Sequence, residues 1–431
     1  MTELKSFKNI TCTFCGALCD NIEVKVKNNK IEDLKNACAI SRKKYEHALK
    51  DRTVPMINGE ESTYQKAVEK AADILKNSKN PLIYGLSSTT AEAQKNAVKL
   101  AELTGANIDS TSSVCHGPGT MAKQLVGMVT ATLGEIKNRS DLMVFWGANP
   151  VEAHPNHSKR YTMLSEGLFK KNRSEREVIV FDVRKTPTAK MADQFVRVEP
   201  GKDFELLMAL RMMINGKKPA GKNGKIAGLE LAEIEALAEK LKSASYGSIF
   251  YGMGLTMTGA KYMNTWAAMS LIRDLNNDQQ RRFVMMPMRG HGNVAGSEIT
   301  MAWQTGYPFA VNFSRAYPRY NPGEYTAVDL LANKEVDAAF IIASDPVGNL
   351  PKKAAAHLKD IPTIILDPHW NFTSDFADVV IPSALKGITA SGTVYRMDHV
   401  PLHLRSFLED EWPDDQTAVA EIGELIENDQ T

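Results

Sequence analysis

A chain of 431 residues, 43% hydrophobic and 24% charged, is soluble and globular in composition and long enough for two or three domains. Its 52 lysines and arginines against 51 aspartates and glutamates leave a net charge of +1, which argues against a surface specialised for nucleic acid, an anionic membrane or a polyanionic partner. No apolar run approaches the roughly 20 residues of a membrane helix. The opening "MTELKSFKNITCTFCG" lacks the basic and apolar regions of a signal peptide, so a cytoplasmic setting with reduced, metal-available thiols is expected.

Four of the five cysteines come first. "CTFCGALC" and "NAC" set Cys12, Cys15, Cys19 and Cys38 in a C-x2-C-x3-C-x18-C array. Four soft thiolates suit zinc or an iron–sulfur cluster. A zinc ribbon usually takes two C-x2-C knuckles. Three cysteines within eight residues wrap the corner of a cubane better, so the spacing favours [4Fe–4S], with zinc as the alternative. Between Cys19 and Cys38, "NIEVKVKNNKIEDLK" alternates apolar and polar residues around Asn-Asn, which predicts a hairpin.

Beyond residue 80 short apolar runs alternate with amphipathic stretches. "PLIYGLSS" reads as a buried strand, followed by a helix over "TTAEAQKNAVKLAELTG" with a threonine N-cap and Gly105 past its end. "DLMVFWGANP", "REVIVFDVRKTP", "SIFYGMGLT", "RRFVMMPMRGHG", "DAAFIIASDP" and "PTIILDP" read as strands ending in polar or glycine-rich turns. "DFELLMALRMMING" and "LELAEIEALAEKLKSA" read as helices, "NGKKPAGKNGK" as a flexible loop, and "EDEWPDDQ" as an acidic connector before a last short helix. The alternation predicts parallel sheets flanked by helices, with ligands at the carboxyl ends of the strands.

The fifth cysteine stands alone in "SSVCHGPGT". An isolated cysteine is most often a small buried hydrophobe. Cys115, however, sits on an expected Gly/Pro turn, directly before His116, in a chain with a metal-binding array, which makes its thiolate a candidate redox-metal ligand and His116 a candidate proton carrier. In "MPMRGHGNVAGS", Arg289 follows a strand within a glycine-rich turn. It is either a solvated arginine or a fork presented to a carboxylate. Met253 and Met257 read as core packing.

Taken together, these stretches resemble the molybdenum/tungsten bis-pterin oxidoreductases, the superfamily containing the formate dehydrogenases, across nearly the whole chain. "VCHGPG" resembles the segment that carries the metal-ligating cysteine there. "GANPVEAHPNH" and "DVRKTPTAKMAD" resemble its pterin-dinucleotide turns, "PMRGHGNVAG" its substrate-arginine stretch, and "ADVVIPSALKGITASGTVYRMDH" its last pterin loop. The resemblance implies an α/β fold of several parallel-sheet domains plus a small N-terminal β-rich iron–sulfur domain, with no C-terminal barrel. The expected division is 1–55 for the cluster, 56–110 with 293–431 as a discontinuous pterin-binding domain, and 111–292 as the domain carrying the metal-ligand cysteine and substrate arginine. It further implies a [4Fe–4S] cluster on Cys12, Cys15, Cys19 and Cys38, and bis-molybdopterin guanine dinucleotide with Mo or W ligated by Cys115. His116 and Arg289 would be catalytic. Gly147, Asn149, His154, Asp182, Arg184, Thr186, Gly252, Gly254, Asp345, Asp367, Gly387 and Gly392 would bind the cofactor.

Two departures stand out. Family members usually carry a lysine two residues after the fourth cysteine. Here that residue is Ile40, with Arg42, Lys43 and Lys44 close behind. The chain also stops soon after the last pterin motif, so a barrel that covers the cofactor is expected on another chain. The resemblance is nearest to a branch in which that barrel is a separate small subunit, ferredoxin-like subunits bring electrons, and an amidohydrolase subunit takes up the formate made from CO2. A split formate dehydrogenase and a non-catalytic subunit are the alternatives.

Overall fold

The computed structural model describes residues 3–429. They divide into two compact units, one formed by the chain up to Val114 together with the chain from His291, the other by Cys115–Gly290.

The Cys115–Gly290 unit is built on a five-stranded, wholly parallel sheet. Its strand order is Gln194–Arg197, Glu177–Asp182, Leu142–Trp146, Tyr246–Tyr251, Arg282–Pro287. Leu142–Trp146 is buried at every position, as a strand covered on both faces must be. Helices Gly117–Val126, Asp203–Ile214, Leu231–Ser243 and Tyr262–Asn276 supply Ala122, Leu206, Leu210, Leu237 and Leu271 to a core shared with Val144, Ile249 and Met285 from the sheet. Every carboxyl-terminal strand end lies on one edge, so Trp146, Asp182, Tyr251 and Pro287 open onto the same row of loops.

The other unit holds a nine-stranded sheet. Its central strands, Asn107–Ser110, Pro81–Gly85, Ala338–Ile342, Thr363–Leu366 and Val379–Ile381, run parallel, and short antiparallel strands close both edges. Helix Ala91–Thr104 begins where the sequence places it: the Thr90 side chain accepts from Ala93 N, and Gly105 closes the helix in the left-handed conformation (φ +68°). The cysteine region adds a three-stranded antiparallel sheet, Lys5–Ile10, Ile22–Lys27 and Lys30–Lys35. Its predicted hairpin turns at Asn28 and Asn29, with φ of +50° and +56°, values that asparagine tolerates. Taken in order, none of the sheets of the described residues pairs its first strand with its last.

One local expectation needs correcting. The Gly/Pro stretch after Cys115 is not a bare turn but the first turn of helix Gly117–Val126, where Pro118 costs nothing because its missing N–H has no partner to lose. The acidic connector is tied down: Asp410 pairs with Arg52 at 2.9 Å, and the Asp414 side chain accepts from Thr417 N to cap helix Asp415–Asn428. No described helix is long and apolar enough to cross a membrane.

Candidate active site

The Cys115–Gly290 unit gathers three of the sequence-derived candidates at the carboxyl edge of its sheet. Cys115 opens the unit and Arg289 is its penultimate residue. The Cys115 Sγ lies 3.0 Å from His116 Nδ1, and Thr256 Oγ1 donates to the Cys115 carbonyl at 2.9 Å. His116 is 1% exposed. Its Nε2 faces the Tyr251 carbonyl at 3.4 Å, and its ring meets Tyr251 edge-on. A carbonyl can only accept, so Nε2 carries the proton of the neutral ring and Nδ1 turns its lone pair to the thiol. The Tyr251 carbonyl also accepts from Met288 N at 2.8 Å, which seats the Arg289 turn against the same strand end. Helix residue Gly119 is needed here, since a Cβ would come within 2.7 Å of the Tyr251 hydroxyl.

His154 joins this group from an unexpected side. Its ring is buried, and Nε2 donates to the Arg289 carbonyl at 2.7 Å. Burial holds its pKa below the ordinary value, partly offset by that bond. His157 packs behind it, against Phe145 and Phe250, and burial depresses it to about 3. Arg289 itself is 2% exposed, which removes the reading as a solvated arginine. Met253 and Met257, expected in the core, are 50% and 47% exposed, because only Leu255 and Thr256 of the four-residue helix Met253–Thr256 turn inward.

The dinucleotide candidates of this unit are engaged with one another. The Asn149 Oδ1 accepts from Thr188 Oγ1 at 2.7 Å, linking the "GANP" and "KTPT" turns. Thr186 caps the helix Pro187–Lys190 and Asp182 accepts from Arg184 N, while the Arg184 residue is exposed. Gly147, Gly252 and Gly254 clear space for each other: a Cβ on Gly252 would meet the Gly147 carbonyl at 2.3 Å, and one on Gly147 the Gly254 carbon at 2.6 Å.

In the other unit the four N-terminal cysteines lie near one another, Cys12, Cys19 and Cys38 all acting electrostatically on Cys15. Cys12 N donates to the Cys19 carbonyl at 2.8 Å, and Leu18 N to the Cys15 carbonyl at 3.1 Å, folding the loop on itself. Ser41 bridges Cys12 and Cys38: its hydroxyl accepts from Cys12 Sγ at 3.4 Å, and its N–H points at Cys38 Sγ at 3.4 Å. Cys38 is thus the N-cap of helix Ala39–Glu46. Burial, then the neighbouring thiols, push Cys15 up, and burial raises Cys12. Ionising these thiols therefore calls for a bound cationic centre. Among the described residues no three His, Cys, Asp or Glu side chains close on one point as they would around a single ion. Four neighbouring thiols match the donor set of a cluster in kind and number.

The cysteine loop packs on two glycines, Gly292 and the candidate Gly387. A Cβ on Gly292 would sit 2.0 Å from the Thr13 carbonyl, and one on Gly387 (φ +69°) 2.7 Å from Thr13 Cγ2. Gly392 similarly leaves room for Thr90. Beside the loop opens a cavity of about 560 Å3, lined by Thr13, Lys44, His291, Asp367, Lys386 and Asp415 among others. Asp367 borders it at a strand end. Open to the cavity yet surrounded by protein, its carboxyl is pushed up to about 7 by desolvation, and one oxygen accepts from His369 N at 3.0 Å. Asp345 instead secures a turn, accepting from Thr373 Oγ1 at 2.7 Å. Two larger concavities, of about 690 and 730 Å3, are lined by residues between Gln194 and Leu237 and hold none of the candidates.

The profile of the molybdopterin oxidoreductases matches residues 60–387. The chain belongs to that family. Among its relatives, a subunit of the tungsten-containing formylmethanofuran dehydrogenase 2 of Methanocaldococcus jannaschii is 44% identical over 94% of each chain. A chain of the formyltransferase/hydrolase complex of Methylorubrum extorquens, solved with methylofuran, is 24% identical with a TM-score of 0.71, covering 88% of this chain and 100% of that one. Acetylene hydratase of Pelobacter acetylenicus is 15% identical with a TM-score of 0.75, covering 98% of this chain and 70% of that one. These two share the fold. The corner where Cys115, His116 and the Arg289 turn meet on Tyr251 holds one half-buried thiol. Tyr251, Thr256 and Lys386 escaped the sequence reading. The first two act through backbone or hydroxyl contacts that carry no motif, and Lys386 reaches the cysteine loop only through the fold.

Proposed function

We propose that this chain is the catalytic subunit of a formylmethanofuran dehydrogenase and reduces CO2 reversibly to formate. The observation that carries the reading is the corner where the Cys115 thiol, the His116 ring and the Arg289 turn meet on Tyr251. Cys115 would ligate Mo or W within a bis-molybdopterin guanine dinucleotide, and Cys12, Cys15, Cys19 and Cys38 a [4Fe–4S] cluster. When bound, these groups supply the two electrons that, with one proton, convert CO2 to formate. The tungsten and the formylmethanofuran in the relative's name support the metal class and the reaction.

The chain's own residues do the rest. His116 Nδ1 is placed to take the Cys115 proton, leaving a thiolate beside an imidazolium whose Nε2–H stays on the Tyr251 carbonyl. The same ring would then supply the one proton that, with the two electrons, becomes the C–H hydrogen of formate. Arg289 offers a planar fork to a formate carboxylate, and burial strengthens that pairing by excluding water. His154 fixes the arginine's backbone. Each unit is proposed to line a pterin dinucleotide with its own residues: the turns of Asn149, Asp182, Arg184 and Thr186 in one, and Asp367 with the turns of Asp345, Gly387 and Gly392 in the other.

Formate would pass to an amidohydrolase subunit, ferredoxin-like subunits would deliver electrons, and a small barrel subunit would complete the pterin site. Assay of the natively purified complex for viologen-linked formate oxidation and for methanofuran-dependent formylation tests the reading. Both activities are expected. Formate oxidation alone would make this a formate dehydrogenase chain, and neither would make it non-catalytic.

A further inference from the structure

Lys386 is the one lysine whose ammonium is inaccessible and makes no hydrogen bond among the described residues. The residue as a whole is half-buried, but its Nζ is shut off from solvent. It reaches the cavity beside the cysteine loop, close enough to Gly292 that a Cβ there would lie 3.4 Å from Nζ and 2.0 Å from the Thr13 carbonyl. Through space its charge is opposed by Asp415 and Cys12, which do not outweigh desolvation, and its pKa falls to about 8. A buried cation without a partner is strongly unfavourable, so the position calls for an anion.

The other cations near the cysteines are differently committed. Arg42 donates to the Leu34 carbonyl at 2.8 Å, binding the hairpin. Lys43 and Lys44 are exposed, Lys44 on the cavity rim.

We propose that Lys386 is the positioning residue of the electron-transfer site, its ammonium donating to the anionic cluster on the four cysteines and to the anionic group in the adjoining cavity. This rests on reading the cysteines as a cluster site. It gives the chain from its last pterin loop the cation that Ile40 does not supply. No bond is made or broken at Lys386. A fixed positive charge there stabilises the more negative, reduced cluster and so raises its potential.

The test uses the full-length chain, prepared anaerobically with iron and sulfide, as wild type, Lys386→Met and Lys386→Arg. Iron content and an EPR-monitored redox titration are read on each. Lys386→Met is expected to shift the cluster to a more negative midpoint potential, and Lys386→Arg to restore most of the wild-type value. The iron-free Lys386→Met chain should melt no lower than wild type, since an unpaired buried charge is removed. If Lys386→Met loses iron while Lys386→Arg keeps it, the charge is holding the cluster and the proposal stands. Equal potentials in all three chains, or equal loss of iron in both variants, would overturn it. Wild-type chain that binds no iron would instead remove the cluster reading itself, and this proposal with it.

Discussion

The two units treat their buried charge in opposite ways. In the Cys115–Gly290 unit the polar groups at the sheet edge are paired by protein: thiol with imidazole, imidazole with the Tyr251 carbonyl, His154 with the Arg289 carbonyl. In the other unit two thiols are raised by burial, and an ammonium lies buried without a hydrogen bond. The first corner is organised in advance for chemistry, where a group displaced by an ångström loses rate. The second holds buried thiols and an ammonium that protein hydrogen bonds do not fully pair, which fits the proposal that it holds an anionic redox centre.

The sharpest way to break this contrast is at Cys115. Cys115→Ala is expected to lower formate turnover on the order of a thousandfold or more, while iron content and the cluster EPR signal stay at wild-type levels. Persisting turnover would remove Cys115 from the site. Arg289→Lys keeps the charge but loses the fork, and kcat/KM for formate should fall about 10- to 100-fold. Near-normal steady-state kinetics would return Arg289 to a structural role.

On the cysteine side the predicted effects are on loading and stability. Gly292→Ala places a Cβ 2.0 Å from the Thr13 carbonyl, so the loop must shift. Loss of iron and a destabilisation of ~1–3 kcal/mol are expected, read by elemental analysis and thermal melts. Wild-type iron content in this variant would mean the loop position does not govern loading.

The smallest effect is a pH slope. His157, ordinarily near 6.5, is held down to about 3 by burial. Below pH 6.5 the unfolded chain binds a proton that the folded chain refuses, so stability is full above that pH and falls as pH drops toward 3. The slope is about 1.4 kcal/mol per pH unit for one proton. His157→Phe, among Phe145 and Phe250, should flatten the dependence of the melting temperature on pH over that window. An unchanged slope would show that His157 does not govern it.

Much of this was legible in the sequence, because it was written in local pattern. Buried strands such as "LMVFW" announce a parallel sheet by being apolar throughout, and Thr90 and Gly105 mark the ends of one helix by cap chemistry. The cysteine array and "VCHGPG" were visible because cysteine is a rare residue type and four of the five stand at short fixed spacings. What escaped depends on contacts distant in the chain. Gly147, Gly252 and Gly254 are explained by mutual packing of two loops, which no single motif displays. His154 bonds the carbonyl of Arg289, which lies 135 residues away. Lys386 answers the question raised by Ile40 from the other end of the chain. Met253 and Met257 were misjudged because hydrophobic residue type was read without knowing that helix Met253–Thr256 has only four residues and that Met257 lies just past its end.

The most direct test of the central claim is the metal content of the natively purified complex, taken with its subunit composition. After subtracting partner clusters, about four irons and one tungsten or molybdenum per copy of this chain are predicted, with the single W or Mo lost in Cys115→Ala and the irons retained. Iron without either metal in the wild type would contradict the account, leaving the Cys115 corner a packed structural feature and the chain an electron carrier.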